Sequence, residues 1–266
     1  MNVSMQRPRR TLPSISLVVV GIALLFSNDK AQTALAQTSA PLGLVKQAIE
    51  AMGGVDALRG LRRLSIAGEV RHWEPEESYV AGGEPRFVDV STFTISWDLE
   101  KSAARTNWDR EIEFPGKTHD KYSEIVTPKF GYVDFVSTTV NIVQSDLPQK
   151  GIHPMSGIRV AAHLRELERA SPTLLLKALD APQRLISLPG QTLGGGVFPA
   201  MAMPAVAMPA VAFTEGRTKF VILFDRKTHL PAAVRTLDDD NILGDSNYDL
   251  ILADWQPVGG VQLKRR

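Results

Sequence analysis

The sequence predicts an α+β fold: a strongly curved antiparallel sheet, a half-barrel, wrapped around central helices and preceded by a signal peptide. Three observations predict it. Short segments of period-two alternation, rich in β-branched and aromatic residues, recur from residue 64 to residue 263 with Gly, Pro and Asp signals between them, which suits an antiparallel meander rather than βαβ units. The longest helical pattern of the mature chain, residues 155–179, sits between two strand-rich halves. The N-terminus has the charge and hydropathy order of an export signal.

That signal comes first along the chain. Arg7, Arg9 and Arg10 precede the apolar run Ser14–Phe26, SISLVVVGIALLF, and Ala34-Leu35-Ala36 supplies an A-x-A cleavage site before Gln37. The apolar run is short for a membrane span; an uncleaved anchor helix is the alternative. Cleavage would leave residues 37–266 as a single domain in the periplasm, with membrane contact only through the signal before its removal. It removes four basic residues and one acid, which takes the formal charge from +1 to −2. Neither value supports nucleic-acid binding. The absence of cysteine excludes disulfides, thiolate metal sites, a cysteine nucleophile and a lipid-anchored N-terminus.

Residues 41–52 read as an amphipathic helix with Leu42, Val45, Ile49 and Met52 on one face, stopped by Gly53-Gly54. Residues 55–61 are a helical turn. Strands follow at 64–73, 86–99 and 101–112, then a hairpin of 122–127 and 130–136 around Pro128-Lys129, extended by 137–143. Residues 74–85 and 144–153 read as loops. In the central stretch, Val160, Ala161, Leu164 and Leu167 form an apolar stripe, Ser156 is placed to N-cap, and Ser171-Pro172 ends one helix and begins a second. Leu174, Leu175, Leu176 and Leu179 make that second helix apolar nearly all round. Each buried Leu or Val contributes roughly 1.5–3 kcal/mol before conformational entropy is set against it. The pair is expected to plug the curved sheet. Later strands are expected at 184–188, 210–214, 218–225, 232–237, 248–255 and 261–263.

Residues 185–214 contain no charged side chain, and Ala-Met-Pro-Ala-Val occurs twice in tandem, at 202–206 and 207–211. One reading is a loop insertion at 198–212, a small duplication that lengthens a hairpin. The other is a Met-rich flap that covers a hydrophobic ligand or touches a membrane, with Met203 and Met208 as its contacts. Four prolines exclude a membrane span there.

Chemistry is sparse. His72, His119, His153, His163 and His229 show no HxH, HxxxH or HExxH spacing, so no local metal motif exists. His163 reads as a satisfied helix histidine. Asp238–Asp240 with Asn241 offers oxygen ligands of the kind calcium prefers but lacks EF-hand spacing, and reads as an acidic turn. Gly194-Gly195-Gly196 lacks the Lys-Ser/Thr of a phosphate loop, and no G-x-S-x-G occurs. The carboxylate pairs Glu76/Glu77 and Glu111/Glu113 do not single out a glycosidase. The four tryptophans, without a basic stripe, read as core or sheet-face packing. No catalytic residue is assigned. Candidate ligand-binding residues are His72 and Trp73 at a strand end, His153 before the central helix, and Met203 and Met208.

Six segments carry a family resemblance: AMGGVDALRGL (51–61), RHWEPEESYVAGGEPRFVDVSTFTISWDL (71–99), KYSEIVTPKFGYVD (121–134), MSGIRVAAHLRELERASPTLLL (155–176), FDRKTHLPAAVRTLDDD (224–240) and GDSNYDLILADWQPVGGV (244–261). They resemble the non-catalytic N-terminal region of exported bacterial metallo-β-lactamase-fold hydrolases. The resemblance implies a zinc hydrolase domain with an HxHxDH motif downstream. No such motif occurs here, so no metal ligand is carried over, and zinc is expected only in a missing downstream domain. The late strands, with Leu230-Pro231, an acidic turn, a Trp-ended strand and Gly-Gly-Val, also look like periplasmic lipoprotein carriers. That likeness implies an incomplete antiparallel barrel holding acyl chains. Three functions follow as expectations: a truncated accessory domain of a zinc hydrolase, a free-standing binding module for an apolar or acyl ligand, and a hydrolase using unrecognised carboxylates.

Overall fold

Within each sheet the strands pair antiparallel with their chain neighbours. The structure, a computed structural model, describes residues 40–74, 78–80, 83–139, 151–193, 206–240 and 244–265. The export signal and Met203 lie outside them, as does most of the first copy of the Ala-Met-Pro-Ala-Val repeat.

Six strands form the first sheet in the order of the chain: β1 (Arg63–Glu74), β2 (Arg86–Asp98), β3 (Ala103–Ile112), β4 (Thr118–Val126), β5 (Gly131–Thr139) and β6 (Gly151–Pro154), every pair antiparallel. Register is set by side-chain alternation, because a one-residue slip would turn each strand's buried set outward. On β2 the buried residues are Asp89, Ser91 and Trp97, all on one face. Their cross-strand neighbours extend that face: Leu64, Ile66 and Val70 on β1, Trp108 and Arg110 on β3, Tyr122 and Glu124 on β4. Pro128-Lys129 is the β4–β5 turn, closed by Thr127 Oγ1, which accepts from the Phe130 amide at 3.1 Å. The short strand β6 falls where a loop is expected. Four residues with Gly at one end and Pro at the other carry no alternation, and only pairing with β5, His153 opposite Val133, makes them a strand.

The second sheet is also a meander, ordered β11-β10-β9-β8-β7: β7 (Ile186–Gln191), β8 (Met208–Glu215), β9 (Thr218–Phe224), β10 (Pro231–Asp240) and β11 (Gly244–Ile251). β8 and β9 are central and buried on both faces. Val211, Phe213, Phe220, Ile222 and Phe224 face the main core, whereas Ala210 and Leu223 join Leu193 and Ala233 in a small cluster on the other side. A strand covered on both faces has no solvated position for a charge, which accounts for the charge-free residues 208–213. The second repeat copy, from Met208 on, is therefore strand. A separate hairpin, β12 (Gln256–Val258) with β13 (Val261–Leu263), completes the strands. Among the described residues neither main sheet is closed, and no strand pair joins them.

Among the described residues four α-helices pack against this framework. α1 (residues 40–51) buries Val45, Ala48 and Ile49, and Met52, just past its end, is buried with them. It ends with the Gly54 amide on the Ile49 carbonyl at 2.9 Å. Gly53 has φ 117°, and a β-carbon there would sit 2.3 Å from the Gly260 carbonyl oxygen, so the C-terminal hairpin rests directly on the helix end. The Gln262 amide donates to the Met52 carbonyl at 2.9 Å. α2 (Val55–Gly60) buries Leu58.

α3 (Gly157–Ala170) is N-capped by Ser156, whose Oγ accepts from the Arg159 amide at 3.2 Å. Val160 is buried, but Ala161 is exposed, so the stripe is narrower than the sequence suggests. α4 (Leu174–Asp180) begins later than expected. Ser171 closes α3, and Pro172 and Thr173 form the connecting turn, with Ser171 Oγ accepting from the Thr173 amide at 3.2 Å. Leu174, Leu175 and Leu176 are buried. The main core joins α1, α2 and α4 to β8, β9, β10 and β13. No helix among the described residues is long and apolar enough to cross a membrane.

Candidate functional site

Between the first strands of one sheet and the middle strands of the other, the core leaves a cavity of about 300 Å³. β1 and β2 supply Ile66, Phe93, Ile95 and Trp97 to one wall, and β9 and β10 supply Ile222 and Val234 to the other. The α3–α4 corner, with Ala170, Ser171, Pro172, Leu174 and Leu175, closes one side, and Leu252 and Trp255 close another. The wall is apolar because each contributing strand turns its core-facing residues inward at that point. The volume is at the small end for ligand sites, which run about 300–1,000 Å³, and leaves room for one slender ligand.

One end of the cavity is cationic. Arg169, Lys264 and Arg265 line it. The Arg169 guanidinium is committed elsewhere: it donates to Thr236 Oγ1 at 2.7 Å and to Asp238 Oδ2 at 3.1 Å, and both partners are buried. Arg165 also reaches Asp238, at 2.6 Å. Lys264 differs. Burial, and secondarily the charge of Arg169, pushes its ammonium down to about 8. Among the described residues no carboxylate lies within ion-pair distance of it.

α3 spans the two sheets and fixes the cavity's corner. Its C-terminal half is held to β10 by the Asp238 pairs, and its N-terminal half to β4 by Glu124. Glu124 accepts from Arg159 Nη2 at 2.6 Å and from Trp108 Nε1 at 2.9 Å, with His163 Nε2 at 3.5 Å. Burial by itself would raise the Glu124 carboxyl, but hydrogen bonding from His163, Arg159 and Trp108 outweighs it and brings it down to about 2. Glu124, then Glu166, hold the His163 imidazolium up at about 9. The satisfied helix histidine expected at position 163 thus has named partners.

A second recess of about 240 Å³ lies further along the same face, lined by His72, Asp89, Ser91, Arg110 and Tyr122 among others. Asp89 is 1% exposed. It forms an ion pair with Arg110, accepts from Ser91 Oγ at 2.7 Å and lies 3.5 Å from His72 Nδ1. Burial opposes its charge, yet the Ser91 and Arg110 hydrogen bonds hold its carboxyl below the usual range. Ser91 donates to the carboxylate and not to the imidazole, so the group lacks the nucleophile-to-base contact of acyl-transfer sites.

His72 therefore stands in a recess. Trp73, one residue on, points to the opposite face, where it packs edge-on against Phe87 at 5.5 Å and is half exposed. His153 ends an aromatic row, Phe93–Trp108–Tyr122–Phe135–His153, with centroids 5.4 to 6.4 Å apart. Its Nε2 is buried without a hydrogen-bond partner among the described residues. Met208 packs into the small cluster on the far face of the second sheet. Met203 lies outside the described residues. The four described residues of this set do not converge, and none of the four lines the main cavity. The cavity residues Trp97 and Trp255 were legible only as packing aromatics, and Lys264 carried no sequence signal. Among the described residues no group of three His, Asp or Glu side chains is placed to hold a metal ion. Searches against known proteins found no matching family model, no matching curated protein and no matching solved structure.

Proposed function

We propose that the domain is an exported binding module for an apolar or acyl ligand, seated between the two sheets as in a half-barrel carrier. One observation carries this reading: an apolar cavity of about 300 Å³ between the two sheets, walled by core residues. Interiors pack to nearly crystal density, so an open apolar space of this size is costly unless something occupies it. Two of the four tryptophans, Trp97 and Trp255, line the space, which provides the test. A bromine-labelled fatty acid should quench tryptophan fluorescence saturably. The quenching should fall sharply in a Trp97→Phe/Trp255→Phe double variant, with the remainder coming from Trp108, which stands 5.4 Å from the cavity-lining Phe93. Absence of saturable quenching, or quenching undiminished in the double variant, refutes the reading.

A second reading follows from the family resemblance, and a specific observation favours keeping it. The resembling segments contribute cavity-lining residues: Met52, Phe93 and Trp97, those of the α3–α4 corner, Val234 and Trp255. In this reading the module presents an apolar substrate to a zinc hydrolase domain. Reading the gene beyond the codon for Arg266 tests it. An HxHxDH-encoding stretch supports the reading, and an unrelated gene removes it.

A further inference from the structure

The main cavity is apolar along its walls and cationic at one end, and its three cations are not equivalent. Arg169 has its charge balanced by Asp238 and two of its hydrogen bonds made within the protein. Arg265 is exposed to water. Lys264 is drawn into the cavity, half-buried, beside another cation and without a carboxylate partner among the described residues. An ammonium in that position is costly to desolvate and is repelled by Arg169. A protein gains nothing in stability from that arrangement, but a ligand anion placed there would relieve both penalties. The chain leading to Lys264 is well fixed: β13 is tied to Met52, and the Arg265 amide donates to the Ala253 carbonyl at 3.2 Å. The backbone on both sides of Lys264 is thus tied down, with the residue at the cavity lining.

We propose that the cavity takes a single-chain amphiphile with an anionic head group, the alkyl chain lying along Ile66, Phe93, Ile95 and Leu175 and the head group on Lys264. This inference rests on the binding-module reading and names its ligand class. Head-group recognition by a charge-assisted hydrogen bond is worth roughly 1.5–3 kcal/mol, which corresponds to a preference of about tenfold or more over an uncharged head.

The experiment compares three ligands of equal chain length, decanoate, decanol and decyltrimethylammonium, by calorimetric titration at pH 7. It uses the full chain and its Lys264→Gln and Lys264→Arg variants, with near-ultraviolet circular dichroism to check that each is folded. Decanoate should bind about tenfold or more tighter than decanol, and the ammonium ligand weakest. Lys264→Gln should remove the decanoate advantage while leaving decanol unchanged, and Lys264→Arg should restore most of it. Equal affinity for decanoate and decanol, with Lys264→Gln neutral for both, overturns the head-group assignment and leaves the apolar site standing. Tightest binding of the ammonium ligand overturns it as well. If none of the three binds, both the assignment and the binding-module reading fall.

Discussion

Glu124 is the point at which the spanning helix is fastened to the first sheet, and replacing it with Gln isolates the electrostatic part of that attachment. The amide can still accept from Trp108, and the half-exposed Arg159 can turn to water. The loss therefore concentrates on His163. In the native protein its imidazolium is held at about 9 against an ordinary 6.5. At about 1.4 kcal/mol per pH unit, that displacement corresponds to an upper value of about 3.4 kcal/mol. The His163 side chain is 26% exposed and shares its charge with Glu166, so about 2–3 kcal/mol is expected in practice. The sign follows from the raised value. The contribution is complete below pH 6.5 and disappears as pH rises through about 9. Glu124 acts in the other direction: its carboxyl is lowered from 4.5 to about 2, so its contribution is complete above pH 4.5 and disappears as pH falls toward 2. The part of stability owed to this pair should be flat between about pH 4.5 and 6.5. Urea unfolding of native protein and of Glu124→Gln at pH 6.0, 7.5 and 9.5 measures the effect. The variant should be about 2–3 kcal/mol less stable at pH 6.0, with the gap narrowing at pH 9.5. Proton NMR titration of His163 should show a midpoint well above 6.5 in the native protein and a clearly lower one in the variant, where Glu166 alone still raises it. A gap of equal size at all three pH values, or a native His163 titrating near 6.5, refutes the reasoning.

Other perturbations have equally definite outcomes. Gly53→Ala places a β-carbon against the Gly260 carbonyl at a residue with φ 117°, which combines backbone strain with displacement of the hairpin; a loss of about 3 kcal/mol, or a fall in Tm of about 6–12 °C, is expected in a thermal melt, and an unchanged Tm refutes the contact. Phe220 is fully buried and stacks on Phe213 at 5.5 Å; Phe220→Ala should cost about 3–5 kcal/mol by denaturant titration, and a loss under 1 kcal/mol would mean that the core joining sheet and helices is misassigned. Decanoate affinity should fall as pH rises past about 8, because the unliganded Lys264 ammonium loses its proton there while Arg169 and Arg265 remain charged; a flat calorimetric profile from pH 7 to 10 removes Lys264 from the site.

What the sequence determined by itself is what depends on near neighbours. Period-two alternation and turn signals placed eleven of the thirteen strands among the described residues, because the inward and outward faces of a strand are written into successive residues. Ser156 announced its helix because an N-cap needs only a hydroxyl within reach of an amide three residues on. Gly53-Gly54 announced the end of α1 because the left-handed backbone there disfavours a side chain. The tertiary structure decided the rest. β6 is a strand only because β5 offers it a free edge. The charge-free residues 208–213 are strand and not flap because β7 and β9 flank them and apolar clusters cover both faces. Thr173, and not Ser171, precedes α4, since Ser171 is already used in closing α3. The cavity brings Ile95, Leu175 and Lys264 together from far-separated parts of the chain, and its size is a property of how two sheets and a helix corner fail to fill the space between them. Lys264 acquires its character in the same way: nothing beside it in sequence buries it, and the cation that repels it comes from α3. Local chemistry specifies elements, but a cavity and a displaced ionisation are differences between packed surroundings and water, and those exist only after the elements have met.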